Sequence, residues 1–378
     1  MKLYEYQGKE IFREYGVPVP SGAVVSSADE AADAANSLTF PLAVKCQLLR
    51  GKRGKSGLIR RVGSVEELRE AAADLLGKAD WGASEPRLLL EPWLDIQKEF
   101  MVSITADPVS GGPVLLASTF GGMDVEEAAE DPEKLKRYTI DIVRGLQPFH
   151  ARNIAYDLGL RGKSIREGAA LFFNLYRAFR GCDAELVEIN PLTMLSDGSL
   201  TAMDSKINID DSALGRQKRF LRGRDQFDTD TEYEAAKEGF SYVTIYPDGD
   251  IGIMCAGAGL TMTVIDLIHQ FGGRPANFLE FGGPLYQRTV KAMRFALVNP
   301  RIKVLVICVF GLIARTDVIA EGLAVAIKEN KPRIPLVVCM RGTGQERAWE
   351  ILREVGLESE KDNEVAIRRA IAIAGGSE

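Results

Sequence analysis

Asp250-Ile251-Gly252-Ile253-Met254-Cys255-Ala256-Gly257-Ala258-Gly259-Leu260 runs from an apolar stretch into a glycine turn and on into the apolar stripe of residues 260–271. The same succession follows three more times. Strand 277–281 precedes helix 285–298, strand 304–310 precedes helix 317–330, and strand 335–340 precedes helix 345–355. Short runs that are apolar on both faces, each followed by a helix, predict a parallel sheet covered on both sides. Glycines gather at the turns: Gly257 and Gly259, then Gly282-Gly283 before Pro284, then Gly311. At the carboxyl ends of parallel strands such turns open crevices, and the helix N-termini there favour anions.

Upstream the rhythm is different. Residues 5–15 read as a helix stopped by Gly16-Val17-Pro18, and residues 41–47 as a short apolar strand carrying Lys45. Ser64 followed by Glu67 predicts a capping box for a helix over 64–79. Strands are expected at 87–93, and at 100–107 and 113–120 around Ser110-Gly111-Gly112, with a helical stripe over 168–180. Residues 185–204 form a hairpin turning at Ser196-Asp197-Gly198. The chain is therefore α/β, with one domain over 1–225, a polar acidic link over 226–245, and the repeating domain over 246–378. Its 378 residues exceed what one core usually serves.

Two stretches of the first domain carry chemistry. After Lys45 comes Arg50-Gly51-Lys52-Arg53-Gly54-Lys55-Ser56-Gly57, whose glycines admit oxygens to the backbone N–H groups and whose cations neutralise phosphate. The spacing is not that of a P-loop. In the hairpin, a turn centred on Asp197 sets Asn190 opposite Asp204 and Glu188 opposite Lys206. Residues two apart on a strand share a face, so all four line one surface. An amide oxygen beside a carboxylate suits Mg²⁺, a hard cation that also takes phosphate oxygens.

The formal net charge of −6 and the absence of a long basic run argue against nucleic acid as the partner. No apolar run approaches the roughly 20 residues of a membrane span, and the opening residues lack a signal-peptide stretch. Cysteines 46, 182, 255, 308 and 339 read as small core residues. A cytoplasmic protein is expected.

Leu3-Tyr4-Glu5-Tyr6-Gln7-Gly8-Lys9, Val44-Lys45-Cys46-Gln47, Ala117-Ser118-Thr119-Phe120-Gly121-Gly122 and Val187-Glu188-Ile189-Asn190-Pro191-Leu192 occur in that order. Asp204-Ser205-Lys206, Gly257-Ala258-Gly259-Leu260, Pro275-Ala276-Asn277-Phe278-Leu279 and Phe310-Gly311 with Arg315 continue it. This series resembles the β subunit of succinyl-CoA synthetase over essentially the whole length. The resemblance implies an ATP-grasp domain followed by a flavodoxin-like (Rossmann-like) CoA-ligase domain. It implies that Lys45, Lys52, Arg53 and Gly54 hold phosphates of ATP or GTP, that Glu91 and Leu94 meet the base, and that Glu99 meets the ribose. Asn190 and Asp204 would hold Mg²⁺. Glu188 at one site, and Gly282 and Gly283 at the other, would meet a phosphohistidine of an α-type partner that also binds CoA. Ala256, Gly311, Leu312, Ile313 and Ala314 would line the acid site. The chain would thus work in a hetero-oligomer, phosphorylating the partner's histidine, then the acid, before CoA displaces phosphate. Neither His150 nor His269 of this chain fits the phosphorylated residue, since neither lies in a glycine-rich loop.

Some positions depart from that pattern. The basic loop is more similar to the matching region of ATP-citrate lyase. Ala256 stands where succinyl-CoA synthetases carry asparagine, and Arg341 aligns with an arginine that citrate lyase uses for its acid. Arginine is the natural fork for an extra carboxylate. Succinate is the expected acid, with citrate or malate as alternatives. An ATP-grasp carboxylate–amine ligase would lack the four β–α repeats, and a nucleotide-binding scaffold would not need Lys45, Glu188, Asn190 and Asp204 together.

Overall fold

The computed structural model describes residues 1–49, 56–121, 135–282, 288–312 and 315–375. The chain divides into two compact units, Met1–Gln226 and Phe227–Glu378.

The first unit opens with α1 (Glu5–Glu14), β1 (Ala23–Val25), α2 (Ala28–Ala35), β2 (Leu42–Cys46), β3 (Ile59–Val62), α3 (Val65–Lys78) and β4 (Leu88–Pro92). Its four strands pair antiparallel in the order β1-β4-β2-β3. Leu42, Val44, Leu88 and Leu90 bury one face of that sheet with Leu68, Ala72 and Leu75 of α3. Ser64 caps α3 by accepting from the Glu67 N–H at 3.2 Å. The Glu67 carboxylate reaches back to the N–H of Gly63, one residue earlier than the expected box requires.

Then come β5 (Ile96–Asp107), β6 (Gly112–Ser118), β7 (Leu135–Thr139), α4 (Pro148–Asp157), α5 (Lys163–Gly181), β8 (Ala184–Leu195), β9 (Leu200–Ala202) and β10 (Lys206–Ile209). They build an antiparallel sheet in the order β10-β8-β5-β6-β7, with β9 also on β8. Val187, Ile189 and Leu192 alternate into a core with Phe12 of α1, Ile154 of α4 and Phe172 and Leu175 of α5. Glu188 and Asn190, between those apolar residues, belong to the opposite face.

The second unit holds α6 (Asp230–Lys237), β11 (Ser241–Thr244), β12 (Ile251–Ala256), α7 (Ala258–Gln270), β13 (Asn277–Glu280), α8 (Thr289–Ala296), β14 (Val304–Gly311), α9 (Thr316–Asn330), β15 (Leu336–Gly342), α10 (Gln345–Glu354) and α11 (Asn363–Gly375). The order is β11-β13-β12-β14-β15, parallel except for β11. Val304 through Val309 are all buried, because α8, α9 and α10 cover one face of the sheet and α7 and α11 the other. All five cysteines are buried thiols, and Cys255, Cys308 and Cys339 stand in register on β12, β14 and β15.

Residues 226–245, expected as a link, carry α6 and the edge strand β11. The acidic, polar texture belongs to a helix opened by a Thr229–Glu232 capping box and to a strand exposed along one edge. Helix α8 is described from Thr289, residues 285–287 of the expected helix lie outside the described residues, and α11 was not expected. No helix among the described residues is long and apolar enough to cross a membrane.

A candidate nucleotide pocket and a strand-end crevice

The hairpin register is the one its turn predicts. Lys206 pairs with Glu188, and Leu192, Thr193 and Met194 pair with Ala202, Thr201 and Leu200. Between the paired segments the Met203 N–H donates to the Pro191 carbonyl at 3.1 Å, which keeps Asn190 opposite Asp204. Glu188 also pairs with Ser103 of β5, so Lys206, Glu188 and Ser103 form one cross-strand row. Glu188 is buried at 8 % exposure; Asn190 and Asp204 are half-buried. One Asp204 oxygen accepts from the Ser205 N–H at 2.7 Å.

Lys45 on β2 reaches the same region from the smaller sheet. It enters a closed group of charges with Glu5 and Lys9 of α1 and Glu91 of β4. Its Nζ lies 2.8 Å from Glu5 Oε1, 2.8 Å from Glu91 Oε2 and 2.8 Å from the Met203 carbonyl. Burial alone would pull the Lys45 ammonium down, but the carboxylates of Glu5, Glu91 and Asp204 more than offset it and hold its pKa above the usual lysine range. Lys9, deeper still, is shifted the other way: burial dominates, and the attraction of Glu5 is opposed by the charge of Lys45.

Against this group lies a cavity of about 150 Å³. Ala43, Ile59, Pro92, Trp93, Leu94, Ile96, Pro191 and Met203 make its walls apolar, and Glu5, Lys45 and Asp204 supply the charge. An apolar slot with a cation and a carboxylate at its edge matches a flat heterocycle carrying a phosphorylated tail. A larger open hollow of about 480 Å³ lies between β3 and α3. Its Arg60 and Lys78 are both paired with Asp74, and none of the expected site residues lines it.

The structure brings Lys45, Leu94 and Asp204 to this cavity. Glu91 lies behind it, with its carboxylate committed to Lys9 and Lys45 and no exposure, so a contact from this residue to a base would come from its main chain. Glu99 is half-buried on β5 opposite Thr193 and packs against Gly121, where an added Cβ would stand 2.6 Å from its own. Lys52, Arg53 and Gly54 lie outside the described residues, as do Gly283, Ile313 and Ala314. Sequence reading missed Glu5 and Lys9. The available signal was their spacing of four on a helix face whose neighbours Gly8, Ile11 and Phe12 are core residues.

In the second unit, β12 is the strand from which the chain order runs outward both ways, to β13 on one side and β14 on the other. Such a reversal leaves a crevice beyond the carboxyl ends of the strands. Ala256 and Gly257 lie there. Oε1 of Glu280 accepts from the Gly257 N–H at 2.9 Å and from the Gly282 N–H at 2.6 Å. A Cβ on Gly282 would come within 2.5 Å of that oxygen, so the turn is closed by a glycine for want of space. On the other side, Gly311 meets Gly342 in register, and Arg341 lies beside Phe310 with its guanidinium carbon 5.7 Å from the ring centroid. Arg341, Phe310 and Leu312 are exposed. Arg315, by contrast, is paired with Asp317 at 2.7 Å.

The first unit thus offers an apolar cavity edged by Lys45 and Asp204 on an antiparallel scaffold, and the second a parallel sheet wound outward both ways from β12 with a crevice at its strand ends. Residues 2–194 match the model of the ATP-grasp domain, and residues 254–373 match that of the CoA-ligase. The chain is 44 % identical over 377 residues to an ADP-forming sulfoacetate-CoA ligase subunit of Bilophila wadsworthia, covering 100 % of both chains. It is 42 % identical over 371 residues to a succinate–CoA ligase [ADP-forming] subunit beta of Staphylococcus haemolyticus, covering 95 % of each. Among solved structures, ATP citrate lyase from Methanothrix soehngenii superposes with a TM-score of 0.72 at 22 % identity, over 94 % of this chain and 93 % of that one, a likeness of fold. The chain belongs to the succinyl-CoA ligase β-like family of acid–CoA ligases, with an ATP-grasp domain followed by a CoA-ligase domain.

Proposed function

We propose that the chain is the nucleotide-binding β-type subunit of an ADP-forming ligase that joins CoA to a small acid bearing a second anionic group. One observation carries the nucleotide part: Lys45 and Asp204 edge an apolar cavity while Asn190 and Glu188 stand on the facing hairpin in the register their turn predicts. In this reading the base enters between Ile59, Pro92 and Leu94, Lys45 meets phosphate, and Glu188 faces the phosphohistidine of an α-type partner that also binds CoA. The basic loop with Lys52, Arg53 and Gly54 covers the phosphates, and Glu99 takes the ribose.

Asn190 and Asp204 together offer one amide oxygen and one carboxylate. Among the described residues no group of three or more His, Cys, Asp or Glu could hold a metal. That donor set fits Mg²⁺ held largely by phosphate oxygens and water, and does not fit a closed protein cage. Bound there, Mg²⁺ would neutralise charge on the transferred phosphoryl group.

The acid reading rests on the strand-end crevice. Ala256 and Gly311 leave room, Gly282 closes one of its turns, and Leu312 and Arg341 flank it; Gly283, Ile313 and Ala314, expected beside them, lie outside the described residues. A guanidinium fork pairs with a carboxylate or a sulfonate equally well. The relatives' names supply sulfoacetate beside succinate, citrate follows from Arg341, and malate is a further alternative. The test is copurification with the α-type partner, followed by CoA- and ATP-dependent phosphate release with sulfoacetate, succinate, malate and citrate. Turnover of sulfoacetate alone supports a sulfonate-reading Arg341; succinate alone makes Arg341 incidental to acid choice. Phosphorylation of the partner without release for any of the four would remove the acid reading and leave the nucleotide reading standing.

A further inference from the structure

Lys9 repeats, one layer deeper, the contacts that Lys45 makes. Its Nζ lies 2.7 Å from Glu91 Oε2, 2.8 Å from Glu5 Oε1 and 2.9 Å from the Met203 carbonyl, and the Lys45 Nζ lies 2.8 Å from each of the same three atoms. Glu91 is 0 % exposed, Lys9 1 %, Glu5 2 % and Lys45 6 %. Only Lys45 and Glu5 of the four line the cavity; Lys9 does not. Two ammonium groups thus share two carboxylates and one carbonyl, and one of the two is shut away from any ligand.

A buried ammonium held by two carboxylates has little affinity left for a third anion, and a buried carboxylate stripped of its cation is strongly disfavoured. With Lys9 in place, moving Lys45 toward a ligand leaves one ammonium to hold both carboxylates. Without Lys9, the same movement leaves two carboxylates and no cation. We infer that Lys9 and Glu5 are positioning residues that set how readily Lys45 passes from its buried carboxylates to a nucleotide phosphate. The inference rests on the reading that this cavity takes a nucleotide.

The experiment is calorimetric binding of MgADP to the full chain in complex with its partner, for the wild type, K45M, K9M, E5Q and K9M/E5Q. K45M is expected to weaken binding at least about tenfold, which tests the nucleotide reading by itself. K9M is expected to weaken it by about tenfold, the order set by one unbalanced buried charge. Adding E5Q to K9M restores the balance and should return the affinity to within about threefold of wild type. A purely structural role for the two residues predicts the reverse, with the double variant worse than K9M, and that result would overturn the inference. Should K9M fail to fold, E5Q alone decides: binding tighter than wild type supports the handover, and equal or weaker binding overturns it. An unchanged affinity in K45M would remove the ligand, and with it both readings.

Discussion

Gly342→Ala should separate the acid site from the nucleotide site. Gly342 ends β15 at φ 111°, a backbone conformation that an alanine resists, and a Cβ there would stand 1.9 Å from the Gly311 carbonyl oxygen. That oxygen is backbone and also accepts from the Thr343 N–H at 3.1 Å, so no side chain can swing aside to make room. Either Gly342 keeps its conformation and the ends of β14 and β15 part, or it rotates and carries Arg341 away from Phe310. Backbone strain of about 1–3 kcal/mol and a steric term of about 1–3 kcal/mol together suggest about 3–4 kcal/mol in the second unit. For a unit of this size that lowers its thermal transition by about 10 °C. Calorimetry on the full chain reads the transition, and steady-state kinetics of the complex read the acid KM. The KM should rise by at least about tenfold, because a small displacement of a positioning group removes much of its effect. MgADP binding should not change, since the cavity belongs to the first unit. A transition within about 2 °C of wild type with an unchanged acid KM would refute the argument.

Other substitutions address the remaining assignments. Arg341→Leu should raise the acid KM by about 10- to 100-fold while leaving ATP-dependent phosphorylation of the partner intact, read by radiolabel transfer. Glu188→Gln should lower kcat for that phosphorylation with little effect on the MgADP Kd, because the proposed function gives Glu188 the phosphohistidine of the partner and not the base. Leu94→Asp should weaken MgADP binding by about tenfold or more, since it puts an unpaired carboxylate in the apolar wall of the cavity; equal binding by calorimetry would remove that wall from the site. The Lys45 pKa is raised in the folded chain, so its contribution to stability is fully present below the ordinary lysine value near 10.5 and is lost only as pH rises through the higher folded value. Across pH 7 to 9 the MgADP affinity should therefore show no step from Lys45, and a midpoint in that window that K45M removes and K9M keeps would contradict the burial and pairing described here.

Some of this protein is written in short-range terms. The register that sets Glu188 opposite Lys206 follows from one turn at Ser196-Asp197-Gly198, because strands joined by a tight turn have no freedom to slide. The four β–α repeats follow from apolar runs too short for helices and the glycines after them. The tertiary structure alone decided the rest. Charged residues in a sequence read as solvated, and the spacing of Glu5 and Lys9 on a core-facing helix turn is the one local sign of the group; its pairing with Lys45 and Glu91 is decided only when α1, β2 and β4 are brought together. The polar stretch over 226–245 looked like a link because a capped surface helix and an edge strand bury too few side chains to show a period. The order of parallel strands is equally silent in the chain, so the reversal at β12 that gathers Ala256, Gly282, Gly311 and Arg341 along one sheet edge emerges only when long crossovers have chosen their neighbours.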